Sequence, residues 1–430
     1  MMNNRNTLSA QCSIRPALRW LPLALVTLGL LSGCRNQERS PADAPDEQPA
    51  ATAGDAASSV DAAKETSSPT SPANQPAAWP LFRGNPAGTG VADGPLPKKL
   101  ELVWKFTPDA ERSSFQTTAA IVDGMVFIGD AHEKLYALDL ANGQVKWSAS
   151  AELGFIAPPA VDDGRVFVGG GDNVFYCFDA ATGDELWRYE AGGEINAGAN
   201  FYQETVLFAA QDGNLSRLNK ENGEVVWQFN IQAEGGIQCM PTLGGSHVFF
   251  AGCDGQFHVL SIADGKDLAA VDIGGPSLSS PAVRDEVAYL GTEDGNVLAV
   301  NWRKPEVVWT YRSERGNQAY RSSAAVDNDV IIVAGRDKMV RALRPADGEP
   351  LWQFAARARI DSSPVIVDER VFVGASDGRV YGLDKTSGEL VWQYDAGGDF
   401  IASVAVAEGK LVIGNDDGTV YCFGKKPTEK

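Results

Sequence analysis

The chain has 430 residues, of which 56 are acidic and 37 are basic, so its formal net charge at pH 7 is −19. This charge argues against nucleic acid as a partner, because contacts to phosphate groups need a basic surface. The three histidines, His132, His247 and His258, lack the spacing of a zinc site, which argues against a bound metal.

Residues 1–33 have the pattern of an export signal. Arginines precede an apolar run from Trp20 to Leu31, which is too short to span a bilayer as a helix. The sequence Leu31-Ser32-Gly33-Cys34 resembles a bacterial lipobox, which implies acylation of Cys34 and anchoring to a membrane through lipid. Arg35 is not the aspartate associated with inner-membrane retention, so the resemblance implies a periplasm-facing lipoprotein of the outer membrane. The alternative is a cleaved signal with an incidental cysteine.

Residues 34–78 predict a disordered tether. Ala, Pro, Ser, Asp, Glu and Gln dominate this segment, and large apolar side chains are almost absent. Such a chain cannot bury enough apolar surface to offset the entropy of ordering. We expect it to hold the folded domain several nanometres from the membrane.

A glycine-rich lead-in from Trp79 to Gly90 opens a repeat region that ends at residue 423, before a short basic tail, 424–430. The repeat is clearest at Asp179-Ala-Ala-Thr-Gly-Asp-Glu-Leu-Trp187, and its last position recurs every 40 to 43 residues. The recurrences are Trp104, Trp147, Trp187, Trp227, Leu268, Trp309, Trp352 and Trp392. A period of this length indicates a repeat architecture.

Each repeat predicts four short antiparallel strands, as in Ser362–Val367, Arg370–Gly374, Val380–Asp384 and Leu390–Trp392. Asp, Asn and Gly occupy the three turns between them, and these residues suit tight hairpins. The strands are rich in β-branched and aromatic residues, which disfavours a helical repeat. Four strands in about 40 residues are typical of one blade of a β-propeller.

The number of blades follows from the two ends of the region. Seven repeats are complete, whereas the eighth stops at Phe423 without an outer strand. An orphan outer strand, Leu102–Phe106, precedes the first repeat. Pairing it with the C-terminal strands would close the ring and leave no open sheet edge. The sequence therefore predicts an all-β, eight-bladed propeller closed by an N-terminal strand.

The lead-in and the Asp-x-x-Thr-Gly-x-x-x-Trp signature together resemble the PQQ-like β-propeller repeat family. That family includes the lipoprotein subunit of the outer-membrane β-barrel assembly machinery and the catalytic domains of quinoprotein dehydrogenases. The resemblance spans about residues 79 to 423. It implies that each signature tryptophan docks its blade against the next one; these residues are Trp104, Trp147, Trp187, Trp227, Trp309, Trp352 and Trp392.

Features that a quinoprotein dehydrogenase of this family would need are missing from the sequence. Adjacent cysteines, acidic calcium ligands and long insertions between blades are not found, and Cys-x-x-Cys-His is absent. We therefore expect a non-catalytic scaffold without a cofactor, a monomer within a larger complex, that binds protein partners in the cell envelope, with β-barrel assembly as the implied role. The alternatives are a minimal PQQ-dependent dehydrogenase and a sensor that binds a ligand or polymer in its channel.

Two cysteines of blade four, Cys239 and Cys253, are predicted to form a disulfide. The first lies near the start of the innermost strand and the second near the end of the next, and export permits oxidation. Two buried free thiols are the alternative, because register decides whether the Cα atoms come within about 7 Å. Cys177 and Cys422 are expected to stay reduced and buried.

The face that carries the connections between blades is predicted to bind the partner. Six arginines of blades six and seven and their connections converge there: Arg312, Arg315, Arg321, Arg336, Arg357 and Arg359. Arginine with interleaved tyrosine is enriched at protein interfaces. The alternative is a solvated face on which Glu314, Asp337 and Asp361 neutralise the arginines locally.

Overall fold

The computed structural model describes residues 77–110 and 112–426. The predicted signal peptide, Cys34, nearly all of the tether and the last four residues lie outside the described residues. Thirty-two strands in the described part form eight antiparallel sheets of four strands each. The prediction of an all-β, eight-bladed propeller is confirmed. No helix among the described residues is long and apolar enough to cross a membrane.

The blades are numbered from the first complete one, and the strands in chain order. The innermost strands of blades one to eight are short: β2 (Ala120–Val122), β6 (Ala160–Asp162), β10 (Asn200–Tyr202), β14 (Thr242–Gly244), β18 (Ala282–Arg284), β22 (Ala325–Val326), β26 (Val365–Val367) and β30 (Ala405–Ala407). The second strands are β3 (Met125–Gly129), β7 (Arg165–Gly169), β11 (Thr205–Ala209), β15 (His247–Ala251), β19 (Val287–Gly291), β23 (Ile331–Ala334), β27 (Arg370–Ala375) and β31 (Lys410–Gly414).

The third strands are β4 (Lys134–Asp139), β8 (Val174–Asp179), β12 (Asn214–Asn219), β16 (Gln256–Ser261), β20 (Asn296–Asn301), β24 (Met339–Leu343), β28 (Arg379–Asp384) and β32 (Val420–Gly424). The outer strands are β5 (Val145–Ser150), β9 (Glu185–Glu190), β13 (Val225–Asn230), β17 (Asp267–Asp272), β21 (Glu306–Arg312), β25 (Pro350–Ala355), β29 (Leu390–Asp395) and, for blade eight, β1 (Glu101–Phe106). The second and third strands are buried almost throughout, so the core lies between neighbouring blades.

The ring closes where the sequence predicted. Strand β1 pairs antiparallel with β32, with Trp104 opposite Cys422 and Phe106 opposite Val420. The N-terminal strand therefore completes the blade that the C-terminal strands begin. The first-to-second turns also follow the prediction, since Asp163 and Gly164 adopt φ angles of 48° and 69°.

A β-bulge precedes the signature tryptophan in the outer strands. In blade two, Cys177 faces Trp187 and Phe178 faces Glu185, so Leu186 is the extra residue. In blade four, Val259 faces Ala269 and Leu260 faces Asp267, so Leu268 is the extra residue. The sequence-based assignment of Leu268 to the tryptophan position is therefore wrong by one residue. Ala269 occupies that position, since it faces Val259 as Trp187 faces Cys177.

The indole N–H of each signature tryptophan donates to a backbone carbonyl of the next blade, over 2.8–3.2 Å. Trp187, for example, donates to Lys220 O at 2.9 Å. Its ring covers Gly223, where a Cβ atom would lie only 2.7 Å from the indole. The glycine of one blade thus makes room for the tryptophan of the preceding blade, which explains why the signature pairs the two residue types.

The predicted disulfide between Cys239 and Cys253 does not form, because Cys239 is a free thiol. Its Sγ lies in the core and donates to Ala251 O at 3.2 Å. Ser322 makes the equivalent bond in blade six, to Ala334 O at 2.6 Å. Cys239 therefore occupies a position where short polar side chains form a hydrogen bond within the blade. Cys177 and Cys422 are free and buried, as predicted.

Candidate functional site

Three of the six predicted arginines lie free on the connection face, which carries the segments joining each outer strand to the next innermost strand. Arg312 ends β21, Arg315 lies in the following connection, and Arg357 follows β25. All three are exposed, and none forms an ion pair with another described residue. They are available to an acidic partner.

Arg321 is held by a carboxylate that the sequence reasoning missed. Its Nε and Nη2 donate to both carboxylate oxygens of Glu293 in the neighbouring blade, over 2.7–3.1 Å. Both side chains are largely buried, at 16% and 12% exposure. The two residues are 28 positions apart, in different repeats, so no local pattern pairs them. Nη1 of Arg321 is buried without a partner in the described part of the chain.

Asp361 neutralises two more of the predicted arginines. Arg336 donates to its two oxygens at 2.7 and 3.1 Å, and Arg359 Nε lies 3.2 Å from Oδ2. Arg359 also lies 3.9 Å from Asp399. For Arg336 and Arg359, the alternative prediction therefore holds: a nearby carboxylate, Asp361, neutralises their charge.

A buried polar network that was not predicted anchors the connection between blades five and six. Arg341 donates to Tyr320 Oη at 2.9 Å, Ser313 Oγ at 3.0 Å and Asp337 Oδ2 at 2.6 Å. The side chains of Arg341 and Asp337 are only 3% and 1% exposed. Burial raises the pKa of Tyr320, so its hydroxyl stays protonated. This network fixes both ends of the segment that presents Arg315.

All eight blades line a cavity of about 170 Å³ in the central channel. Most of its lining residues form two tiers, two residues apart along the extended segment that leads into each innermost strand. The upper tier, in blade order, is Gln116, Ile156, Asn196, Gln238, Leu278, Arg321, Asp361 and Ile401. The lower tier is Thr118, Pro158, Gly198, Met240, Ser280, Ser323, Ser363 and Ser403.

Hydroxyl groups of the lower tier link successive blades. The backbone N–H of Met240 donates to Ser280 Oγ at 2.9 Å, that of Ser280 to Ser323 Oγ at 3.0 Å, and that of Ser323 to Ser363 Oγ at 2.9 Å. The series continues from Ser363 to Ser403 at 2.8 Å and from Ser403 to Thr118 at 3.2 Å. It is interrupted at blades two and three, where the lower tier is Pro158 and Gly198. The hydroxyl groups of the lower tier thus take part in inter-blade packing.

The lead-in runs around the end of the channel opposite the connection face. Its backbone hydrogen-bonds to innermost strands in turn: Trp79 with Ile121, Pro80 O with Val161, Pro86 O with Leu243, Ala87 O with Val283, Thr89 O with Val326, and Gly90 O with Ile366. The segment therefore acts as a shared extra strand beneath six blades. Phe82 projects from it to line the cavity.

Arg83 lies fully buried in the lead-in. Its Nη2 donates to Ala324 O at 3.0 Å and to Pro364 O at 2.7 Å, which ties blades six and seven together from below. No carboxylate lies within ion-pair distance of it among the described residues. Burial lowers the pKa of Arg83 to about 9, so the side chain stays charged at neutral pH.

His132 lies in blade one, whereas His247 and His258 both lie in blade four. Among residues 77–110 and 112–426, no three His, Cys, Asp or Glu side chains are placed to hold a metal ion. His258 is instead held between two carboxylates, with Nε2 2.8 Å from Asp254 Oδ2 and Nδ1 3.3 Å from Asp267 Oδ2.

Known proteins share both this blade arrangement and its sequence pattern. Residues 99–239, 211–353 and 320–426 match the family model described as outer membrane protein assembly factor BamB. The chain belongs to this family. The matches cover the propeller from just before β1 to the end of β32.

Individual relatives resemble the chain over shorter stretches. The BamB protein of Yersinia pestis is 27% identical over 194 residues, which are 39% of this chain and 48% of that protein. A quinoprotein ethanol dehydrogenase of Pseudomonas aeruginosa is 24% identical over 256 residues, 55% of this chain and 36% of the enzyme. The chain thus spans less than half the length of these curated relatives.

A solved structure of BamB from Moraxella catarrhalis has the same fold, with a TM-score of 0.65 and 19% sequence identity. The superposition covers 76% of this chain and all of that one.

Proposed function

We propose that the chain is a non-catalytic, membrane-tethered scaffold that binds protein partners in the cell envelope during outer-membrane β-barrel assembly. Membership of the BamB family carries this proposal, since the matched residues 99–426 include all eight blades. The predicted lipid anchor at Cys34 would place the propeller on the periplasmic side of the outer membrane.

Within this proposal the partner docks on the connection face through Arg312, Arg315 and Arg357. These exposed guanidinium groups stand out on a chain with a net charge of −19. Arg321, Arg336 and Arg359 are paired with carboxylates and contribute mainly by shaping the face. The partner surface is therefore expected to be acidic.

The test is crosslinking in cells, followed by identification of the captured proteins in the outer-membrane fraction. A subunit of the β-barrel assembly machinery is the expected capture. The triple variant Arg312→Ala, Arg315→Ala and Arg357→Ala should lose most of it at low salt, where charge effects are largest. Its melting temperature should stay close to that of the parent, because exposed charges contribute little to stability.

Three exposed lysines supply the matched control. Lys98, Lys266 and Lys304 lie on the side of the propeller opposite the connections, and their replacement by alanine removes the same charge. If both triple variants capture partners equally well, the connection face is not the docking site. If no assembly subunit is captured by the parent, the proposed role fails.

A quinone-dependent dehydrogenase is the second candidate function, because a quinoprotein ethanol dehydrogenase of Pseudomonas aeruginosa is among the relatives. The cavity does not suit the calcium ion that such a dehydrogenase would need, because calcium takes six to eight oxygen ligands. Asp361 is the one carboxylate among the lining residues, and Arg336 and Arg359 occupy its oxygens. Reconstitution with quinone and calcium, followed by a dye-reduction assay, should therefore give no turnover.

A further inference from the structure

The central cavity has an apolar side and a donor-rich side. In blades two, three and four the lower tier is Pro158, Gly198 and Met240, and Phe82 packs beneath Gly198. A Cβ atom at Gly198 would lie 3.1 Å from Phe82 Cβ, so the glycine lets the Phe82 side chain approach closely. The remaining five blades place a hydroxyl group at this level.

Those five hydroxyls keep their hydrogen atoms available to the cavity. Each oxygen already accepts a backbone N–H from the preceding blade, as Ser363 does from Ser323 and Ser403 does from Ser363. A hydroxyl has one donor, and none of these donors has an acceptor in the described part of the chain. The hydroxyl side of the cavity therefore offers an arc of unused donors.

Arg321 adds a charged donor on the same side. Glu293 occupies Nε and Nη2, which leaves Nη1 buried and unpaired next to the cavity. Glu293 balances the charge of Arg321, and Arg336 and Arg359 balance that of Asp361, so the unpaired Nη1 is a donor that no lining carboxylate occupies. Among the described lining residues, Asn196 Oδ1 is the one buried side-chain acceptor without a partner. Unpaired donors outnumber unpaired acceptors, which favours a ligand with anionic oxygens.

The size of the cavity limits the ligand. Its volume of about 170 Å³ is close to that of the ~150 Å³ cavity known to hold benzene. We propose that the cavity binds a small organic carboxylate with a compact apolar body, of the size of benzoate. The carboxylate accepts from Arg321 and the hydroxyls of blades six to eight, and the body packs on Phe82, Pro158 and Met240. This site uses none of the three exposed arginines, Arg312, Arg315 and Arg357, that are proposed to bind the partner.

Titration calorimetry of the full chain with benzoate tests the proposal, with benzyl alcohol and acetate as comparison ligands. Benzoate should bind at one site with a dissociation constant of about 1 mM or lower. Benzyl alcohol lacks the charge and acetate lacks the apolar body, so each should bind at least about tenfold more weakly. Lack of saturable benzoate binding, or equal binding of either comparison ligand, overturns the proposal.

The double variant Ser363→Ala and Ser403→Ala removes two cavity hydroxyls and should weaken benzoate binding about tenfold. Ser322→Ala with Ser362→Ala is the matched control. These neighbouring hydroxyls face into the blades, where Ser322 donates to Ala334 O and Ser362 accepts from Gly374 N. Equal weakening by both pairs would contradict a role of the cavity hydroxyls.

Leu278→Trp provides a test that leaves every inter-blade hydrogen bond in place. Leu278 belongs to the upper tier and lies between Gln238 and Arg321 in blade order. A tryptophan there should fill the cavity and abolish benzoate binding while the melting temperature changes little. Retained binding in this variant would place the ligand elsewhere.

Discussion

Trp302 packs on Phe249 of the preceding blade, with ring centroids 5.2 Å apart. The signature tryptophans contact the same strand position in their own blades, as Trp187 does with Phe167 at 5.9 Å. In blade four that tryptophan is replaced by Ala269, and Trp302 reaches back from blade five to fill the space. Its indole N–H donates to Asp285 O at 3.0 Å, and the side chain is only 8% exposed.

Trp302→Ala should therefore destabilise the propeller as strongly as loss of a signature tryptophan. Removing a buried tryptophan costs about 3–5 kcal/mol, because it leaves a cavity. Chemical denaturation of the Trp302→Ala and Trp187→Ala variants measures the two losses of stability for comparison. Adding Ala269→Trp to Trp302→Ala should recover part of the loss. A cost below about 1 kcal/mol for Trp302→Ala would show that the contact with Phe249 matters little.

Gly90→Ala, in the lead-in, should lower the free energy of unfolding of the protein more than Gly164→Ala, in a turn of blade two, does. Both glycines have positive φ, 66° and 69°, so both substitutions carry a similar backbone cost of about 1–2 kcal/mol. A Cβ at Gly164 meets nothing, whereas one at Gly90 would collide with the buried guanidinium of Arg83. The collision should add about 1–3 kcal/mol to the loss measured by denaturation. Equal losses would mean that Arg83 can move aside freely.

The Arg341–Asp337 pair gives a third prediction. Arg341→Met leaves a buried carboxylate without its cation and should cost about 3–5 kcal/mol. Adding Asp337→Leu removes that charge, so the double variant should regain most of the stability. If the double variant is no more stable than Arg341→Met, the loss comes from packing and from the bonds to Tyr320 and Ser313.

Alkaline pH should destabilise the fold through its buried thiols. Burial raises the pKa values of Cys177, Cys239 and Cys422 to about 12, from an ordinary value of 9.0. The unfolded chain loses these protons first, so the free energy of unfolding should fall as the pH rises from about 9 to about 12. The contribution of the thiols is fully present below pH 9.

Alkylation checks the same thiols directly. In the native protein at pH 8 these three cysteines should react with iodoacetamide far more slowly than in urea, because burial suppresses the thiolate. A variant with alanine at all three positions should lose less stability between pH 9 and pH 12 than the parent. Rapid native alkylation of Cys239 would contradict its placement in the core.

The sequence by itself determined the blade count, the strand order and the closure of the ring. These follow from local patterns: strand periodicity, turn residues and the constant interval between tryptophans. The orphan strand at Leu102–Phe106 also had one possible partner, since the last repeat lacked its outer strand. The pairing of Trp104 with Cys422 is the result.

Only the tertiary structure decided which arginines are free, where Cys239 points and how blade four replaces its tryptophan. Arg321 meets Glu293, and Trp302 meets Phe249, across the boundary between two successive blades, where no pattern within one repeat reveals the contact. Blade four carries Ala269 where the other blades carry the signature tryptophan, and only the packing of the folded ring shows that Trp302 fills the space. The cavity likewise depends on eight segments that converge only when the ring closes, because each blade contributes just two or three residues to it.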